Sequence, residues 1–216
     1  MPSVLIAGAS RGIGLELARQ YAADGWTVHA TTRTPHTPGA LGKIPGVQVH
    51  GLEVRHAAEA VALADALGEI ALDTVIHNAG VSAHGRSRED VFAVNTYAPF
   101  TVIDAVFPHL LAAPQPKLVL VTSQLGARRG SSASLGPYGD SKAALNDRFR
   151  ELAPRWRTQG VSAIVLHPGW VRTDMGGNSA PLSVERSARG IREVVTSLTL
   201  DDCGKFLTWE GRVHPW

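Results

Sequence analysis

Residues 138–142 of this chain read Tyr-Gly-Asp-Ser-Lys. Wound into a helix, Tyr138 and Lys142 stand on one face, one turn apart. An ammonium held beside a phenol favours the phenolate. A free tyrosine titrates near ~10, and a fall of about two or three units lets it trade protons close to neutrality. The pair is therefore a candidate proton donor with its tuning cation. Many surface helices carry the same spacing by chance, so the pair gains weight only from its company. Ser123 offers a hydroxyl at the end of an apolar run, 118–123. Near the start, GASRGIG at 8–14 follows Val4-Leu5-Ile6-Ala7 and precedes the helix-like Leu15-Glu16-Leu17-Ala18-Arg19-Gln20-Tyr21. Strand, glycine turn and helix aim free backbone N–H groups and the positive end of a helix at a phosphate. The plain alternative is a tight turn with close packing.

Such groups need a scaffold to bring them together. Strand-like runs fall at 4–7, 27–32, 47–52, 74–77, 118–123, 161–166 and 205–208. Helix-like stretches lie between most of them, at about 12–24, 56–68, 87–112, 137–158 and 183–198. This alternation predicts an α/β, doubly wound Rossmann-type fold: a seven-stranded, mainly parallel sheet with helices on both faces. Residues 34–46, TPHTPGALGKIPG, hold too many prolines and glycines for a full helix. In such sheets ligands bind beyond the carboxyl ends of the strands. Polar or glycine punctuation gathers on that edge. The turn at 8–14, Thr32-Arg33, Glu53-Val54, His77-Asn78-Ala79-Gly80, Ser123 and His167-Pro168-Gly169 each end or follow a strand-like run. Six strand ends sharing one edge favour ligand binding over mere packing.

At 216 residues the chain reads as one domain, 1–216, with no room for a separate substrate domain. A hydrophobic share of 44% and a charged share of 19% suit a globular protein and argue against disorder. The net charge of +2 offers no nucleic-acid surface, and Arg148, Arg150, Arg155 and Arg157 read as the solvated face of one helix. Cys203 is the only cysteine, which excludes an intramolecular disulfide and a cysteine-rich zinc site. The nine histidines are scattered, so no metal is expected. Met-Pro-Ser lacks the regions of a signal peptide, and no apolar run approaches the ~18 residues of a membrane span. A cytoplasmic protein without a membrane partner is expected.

The motifs, in order, are GASRGIG, HNAG, Asn95 in VNTYAPF, Ser123 in VTSQLG, YGDSKAALN and PGWVRTDM. Together they resemble the short-chain dehydrogenase/reductase family over nearly the whole chain. The segment PGWVRTDMGG and the ending GKFLTWEGRVHPW look like the short C-factor- and Sniffer-like carbonyl reductases within it. The resemblance implies catalytic roles for Asn95, Ser123, Tyr138 and Lys142. Tyr138 would protonate a carbonyl oxygen that Ser123 polarises. Lys142 would lower the Tyr138 pKa and hold the nicotinamide ribose, and Asn95 would anchor a relay water. Hydride chemistry itself belongs to the nicotinamide. Gly8, Ser10, Arg11, Gly12, Ile13 and Gly14 would border the pyrophosphate, with Asn78, Ala79 and Gly80 on the adenosine side and Glu53 and Val54 at the adenine edge. Pro168, Val171 and Thr173 would meet the carboxamide. The chain departs from the family pattern at Ala7, at His77 and at Glu53, where Thr, Asn and Asp are usual.

The second strand-like run ends in Thr32 where an NAD enzyme would place a carboxylate for the ribose 2′-hydroxyl. Arg33 follows it and Arg11 lies in the glycine turn, and two guanidiniums converging there suit a 2′-phosphate. NADP(H) is therefore expected over NAD(H). The expected function is an NADPH-dependent reductase of small carbonyl compounds, the reverse reaction oxidising an alcohol. The alternatives are a cofactor-binding signalling protein of C-factor type and an NAD-dependent alcohol dehydrogenase. A monomer, a homodimer and a homotetramer are all compatible with the sequence. In the family the segment after Thr173 covers the substrate. Here nine residues, two of them glycine, precede Ser183, a plausible helix N-cap. An open, mobile lid and a taste for small or reactive carbonyls follow. Arg128 and Arg129 stand between Ser123 and Tyr138 as candidate anion contacts or as a solvated pair.

Overall fold

Buried apolar runs become strands wherever both faces of the sheet are covered. The computed structural model describes residues 1–128, 134 and 136–216. The strands are β1 (Ser3–Ala7), β2 (Thr27–Thr32), β3 (Val47–Gly51), β4 (Thr74–His77), β5 (Lys117–Val121), β6 (Ser162–His167) and β7 (Phe206–Thr208). The helices are α1 (Gly12–Ala23), α2 (Ala57–Leu67), α3 (Arg88–Phe92), α4 (Ala98–Leu111), α5 (Gly136–Thr158) and α6 (Val184–Ser197). The sheet order is β3-β2-β1-β4-β5-β6-β7, and every neighbouring pair is parallel. The proline- and glycine-rich stretch keeps only a 3₁₀ turn, Leu41–Lys43.

Alternation along each strand divides the core in two. Leu5, Val75, Leu118, Leu120, Ala163 and Val165 point to one side, where residues of α2, α4 and α5 cover them. Val4, Ile6, Val28, Ile76, Val119 and Ile164 point to the other, against α1 and α6. Leu5 and Ile6 are both fully buried, worth roughly 1.5–3 kcal/mol each over an exposed position. The strand order reverses between β1 and β4, so the helices that follow them lie on opposite faces and a crevice opens at their carboxyl ends.

Sequence reading gives one helix over 87–112; the chain instead forms α3, a π turn at Ala93–Tyr97, and α4. Pro99 accounts for the break, because it has no N–H to offer the Asn95 carbonyl four residues earlier. The stretch Arg88–Leu111 is long and apolar enough to cross a membrane by length and composition, although no uninterrupted apolar run reaches that length. Half of its apolar window is buried in the fold. Val102, Ile103, Val106 and Leu110 there form part of the core beneath the sheet.

Candidate active site

The chain between β1 and α1 must turn sharply against its neighbours. Gly8 has φ +83°, and a Cβ there would lie 2.7 Å from the Ala79 backbone. A Cβ on Gly14 would fall 2.2 Å from the Gly8 carbonyl and 2.6 Å from Asn78 Nδ2. Asn78 Nδ2 itself donates to that carbonyl at 2.7 Å, and the Gly8 N–H donates to Thr31 Oγ1 at 3.0 Å. The packing explanation and the ligand explanation thus hold together: close contact shapes a turn that leaves the first N–H groups of α1 facing a cleft. No side chain caps that helix start and no acidic residue stands in its first turn. The end is electropositive and short of acceptors.

The cleft beyond the carboxyl ends of β1–β5 has a volume of about 750 Å³. Gly8, Ser10, Arg11, Gly12, Ile13, Thr32, Arg33, Glu53, Val54, Asn78, Ala79, Gly80, Tyr138, Lys142, Pro168 and Thr173 line it. Gly14, Asn95, Ser123 and Val171 lie behind or beside that lining. Gly14 packs under Gly8. Val171 is bridged to Leu182 at the base of the loop that follows.

At the β2–β3 end, Thr32 is buried and its Oγ1 accepts from the Thr34 N–H at 3.3 Å. Arg33 is exposed and makes no hydrogen bond among the described residues. The anticipated convergence of Arg11 on Arg33 is not present. Arg11 Nη1 instead pairs with Asp174 at 2.9 Å, across the cleft mouth. Glu53 is likewise engaged: its carboxylate takes Arg55 Nε at 3.1 Å, and its N–H donates to Glu59 Oε2 at 2.6 Å. Burial pushes the Glu53 carboxyl up, but the hydrogen bonds and charge of Arg55, with the charge of Arg33, leave it below the usual range. Arg55 also reaches Asp90 at 3.7 Å. Sequence reasoning missed Arg55, Asp90 and Asp174; Arg55 alone had a local signal, two residues past Glu53.

The candidate reactive groups meet where β4, β5 and α5 come together. Ser123 draws the Tyr138 phenol down, but burial outweighs it and pushes the phenol above its ordinary value. Ser123 Oγ accepts from the Leu125 N–H at 3.1 Å, which fixes its rotamer. Lys142 is 4% exposed, and burial holds its amine down at about 8. Its Nζ donates to the Val121 carbonyl at 2.9 Å. The expected influence of Lys142 on the Tyr138 phenol is therefore absent here, because the amine is turned toward the sheet. Asn95 is fully buried in the π turn. Its Oδ1 accepts from the Val81 N–H at 2.8 Å, and its Nδ2 donates to Val81 O at 2.9 Å and to Ser141 Oγ at 3.1 Å. The amide is thus fully committed to protein partners, and its backbone carbonyl is the group left without an α-helical donor.

The segment after Thr173 is bonded rather than loose. Trp170 Nε1 donates to Gly176 O at 2.8 Å, and the Gly177 N–H to Thr173 O at 2.8 Å. A Cβ on Gly176 would lie 1.9 Å from the Val171 carbonyl. Close approach accounts for Gly176, whereas Gly177 turns the chain at φ +76° with open space around it. Ser183 does cap α6, accepting from the Arg186 N–H at 3.2 Å. Pro168 O accepts from Ser187 Oγ at 2.6 Å, which ties the β6 end to α6. Arg128 pairs with Asp147 at 3.0 Å on the surface, while Arg129 lies outside the described residues. Of the α5 arginines, Arg148 pairs with Glu151, Arg157 with Asp201, and Arg150 lies over the Trp216 ring. The histidines are less scattered than their spacing implies: His29 and His50 meet at 3.0 Å across β2 and β3. Among the described residues no group of three His, Cys, Asp or Glu side chains could hold a metal ion.

The pattern of the short chain dehydrogenase family matches residues 2–182. C-signal of Myxococcus xanthus is 34% identical over 154 residues, 67% of this chain and 93% of that protein. The NADPH-bound carbonyl reductase from chicken fatty liver superposes with a TM-score of 0.89 at 31% identity, covering 100% of this chain and 99% of the other. The carbonyl reductase Sniffer of D. melanogaster superposes with a TM-score of 0.90 at 26% identity, covering all of both chains.

Proposed function

This chain belongs to the short chain dehydrogenase family, a family of oxidoreductases, and from that premise we propose that it reduces small aldehydes and ketones to alcohols with NADPH. The observation that carries the proposal is Tyr138 in the cleft, its phenol under the influence of Ser123, with buried Lys142 lining the same cleft one helical turn from the tyrosine. A dinucleotide fits the residues present. The uncapped start of α1, the glycines that a Cβ would block and the 750 Å³ cleft suit an extended anionic ligand. When bound, the nicotinamide supplies a hydride to the carbonyl carbon.

The remaining work falls to the chain. The Ser123 hydroxyl hydrogen-bonds the carbonyl oxygen and fixes its position. Tyr138 donates its proton to that oxygen as negative charge develops there. A phenol raised by burial stays protonated at neutral pH, the form needed for reduction. Lys142 holds a ribose hydroxyl with its ammonium and passes a proton back toward Tyr138. The Asn95 carbonyl, freed by Pro99, anchors the water of that relay while the Asn95 amide holds the Val81 backbone. On the adenosine side, the carboxylate-free Thr32 and the exposed Arg33 support NADPH over NADH.

The likeness to C-signal favours a second function, a cofactor-binding signalling protein, which would need neither Ser123 nor the proton of Tyr138. A carbonyl panel separates the two, scored by oxidation of NADPH and of NADH. Small aldehydes, diketones and quinones should be turned over with NADPH, because the short loop at 174–182 offers little apolar wall. A bulky steroid ketone used at micromolar KM while small aldehydes are ignored would show the substrate class to be wrong. No oxidation of either cofactor across the panel would leave the signalling function standing.

A further inference from the structure

The glycine turn between β1 and α1 is held by a residue to which the proposed reaction gives no part. Gly8 sits at φ +83°, and side chains take both of its backbone polar groups. Its carbonyl accepts from Asn78 Nδ2 at 2.7 Å, and its N–H donates to Thr31 Oγ1 at 3.0 Å. Thr31 also takes the next donor, since its carbonyl accepts from the Ala9 N–H at 2.9 Å. On the other flank, the N–H groups of Asn78 and Ala79 donate to Ala7 O at 3.0 and 2.9 Å. The turn is thus clamped from β2 and from the end of β4. The uncapped start of α1 just beyond it is what remains for an anion.

Strand register explains why this task falls to Thr31. β1 and β2 pair through Ile6 and Ala30, so Ala7 and Thr31 come next along the two strands. Ala30 joins the core under α1 and α6, whereas Ala7 joins the core under α2, α4 and α5. By alternation the Thr31 side chain stands on the side of Ala7. Ala7, where the family usually has Thr, brings only a methyl to the turn, and the hydroxyl comes from β2 instead. Thr31 is 1% exposed and borders the cleft. A β-branched side chain has little freedom at χ1, so its oxygen is a fixed acceptor.

We propose that Thr31 is a positioning residue for the dinucleotide: its hydroxyl holds the Gly8 N–H and so sets the turn that presents the start of α1 to the pyrophosphate. The proposal rests on a dinucleotide binding in this cleft. Glycine carries no Cβ to hold it at positive φ, so Gly8 can relax once its N–H is released. Two consequences separate Thr31 from Arg33, two residues further on. The pyrophosphate is common to both nicotinamide cofactors, so a change at Thr31 acts on NADPH and NADH alike. The effect also reaches the ligand only through Gly8, so the Gly8 amide must respond in the protein without ligand.

The test compares Thr31→Val, which keeps the shape and removes the acceptor, with Thr31→Ser, which keeps the acceptor. Calorimetry gives the dissociation constants of NADPH and NADH, and nitrogen-15 spectra of the apo protein give hydrogen exchange at the Gly8 amide. In Thr31→Val that amide should exchange about tenfold faster or more, through the loss of its hydrogen bond. Both cofactors should bind about three- to tenfold more weakly, and by the same factor. Thr31→Ser should stay within about twofold of wild type on both readouts. A folded Thr31→Val with both affinities unmoved overturns the proposal, since a bond that serves stability alone leaves binding untouched. Loss of NADPH affinity without loss of NADH affinity overturns it too, because the residue would then act at the 2′ end. So does a Gly8 amide that still exchanges at the wild-type rate. Should the valine variant not fold, the wild type and Thr31→Ser decide. A wild-type Gly8 amide as fast as in an open chain, or a serine variant that loses both cofactors, overturns the idea; a protected amide with retained affinities supports it. Wild-type protein that binds neither cofactor would fail the functional assignment on which the proposal rests, whereas wild-type binding with an indifferent valine variant fails the proposal alone.

Discussion

Replacing Arg33 by alanine tests the cofactor assignment most directly, because the structure isolates that residue. Arg33 is exposed and makes no hydrogen bond among the described residues, so binding a phosphate there breaks nothing first. A hydrogen bond to a charged group contributes about 1.5–3 kcal/mol, and exposure places this one at the lower end. Arg33→Ala should thus weaken NADPH binding about tenfold, with NADH within about twofold of wild type. Arg11 is in a different position, since it must first leave Asp174 at 2.9 Å. Both members of that pair are more than two-thirds exposed, and such pairs contribute roughly 0–1 kcal/mol. Asp174→Asn should therefore tighten NADPH by no more than about fivefold, and Arg11→Ala should cost less than Arg33→Ala. Calorimetric titration of the apo protein at fixed ionic strength reads all three, and repetition at high salt should shrink the NADPH effects. Equal losses for NADPH and NADH in Arg33→Ala would refute the reasoning, since only a 2′-phosphate distinguishes them.

Tyr138→Phe should leave the fold and NADPH affinity near wild type while carbonyl reduction falls by about 10²- to 10⁴-fold, the effect of a lost general acid. Comparable turnover in the phenylalanine variant would remove Tyr138 from the chemistry. Acid should destabilise the fold well before its carboxylates protonate. His29 and His167 are held at about 4 and His77 at about 3, against an ordinary 6.5, each chiefly by burial. Between these values the unfolded chain binds protons that the folded chain refuses, so stability present above pH 6.5 is lost as pH falls toward 4. Urea midpoints measured from pH 7 to pH 5, where carboxylates stay charged, should fall steadily; a flat series would contradict the buried neutral rings.

Much of the fold was legible because its causes are local. Every strand but the edge strand β3 is largely buried, and Gly25, Gly68 and Gly160 mark the turns with positive φ that release α1, α2 and α5. The edge carrying the site followed from topology, since parallel strands bring all their carboxyl ends together. What stayed hidden depends on distant partners. The spacing of Gly8 and Gly14 announces a turn, but only Asn78 and Ala79, some seventy residues on, show why no side chain fits. Arg11 and Asp174 are separated by 163 residues, and no local pattern links them. The break at Asn95 was readable in principle from Pro99, whose missing N–H acts four residues back. The His29–His50 contact needs the β2–β3 register, which sequence period alone leaves free by steps of two.

Charge pairing around the cleft bears on how far the arginines can carry discrimination. Glu53, Asp90 and Asp174 engage Arg55 and Arg11; among the described residues Arg33 makes no ion pair, although its charge bears on Glu53. One exposed guanidinium in salt cannot by itself separate two cofactors by orders of magnitude. The stronger element is what Thr32 omits. Its hydroxyl accepts from the Thr34 N–H, so a ribose 2′-hydroxyl would find no carboxylate to receive its proton and would leave polar groups poorly matched. A 2′-phosphate needs no acceptor from the protein, and the neighbouring Glu53 carboxylate is already engaged by Arg55. On this argument the proposed preference for NADPH would come from a missing acid as much as from a present base, and Arg33→Ala should blunt it without reversing it.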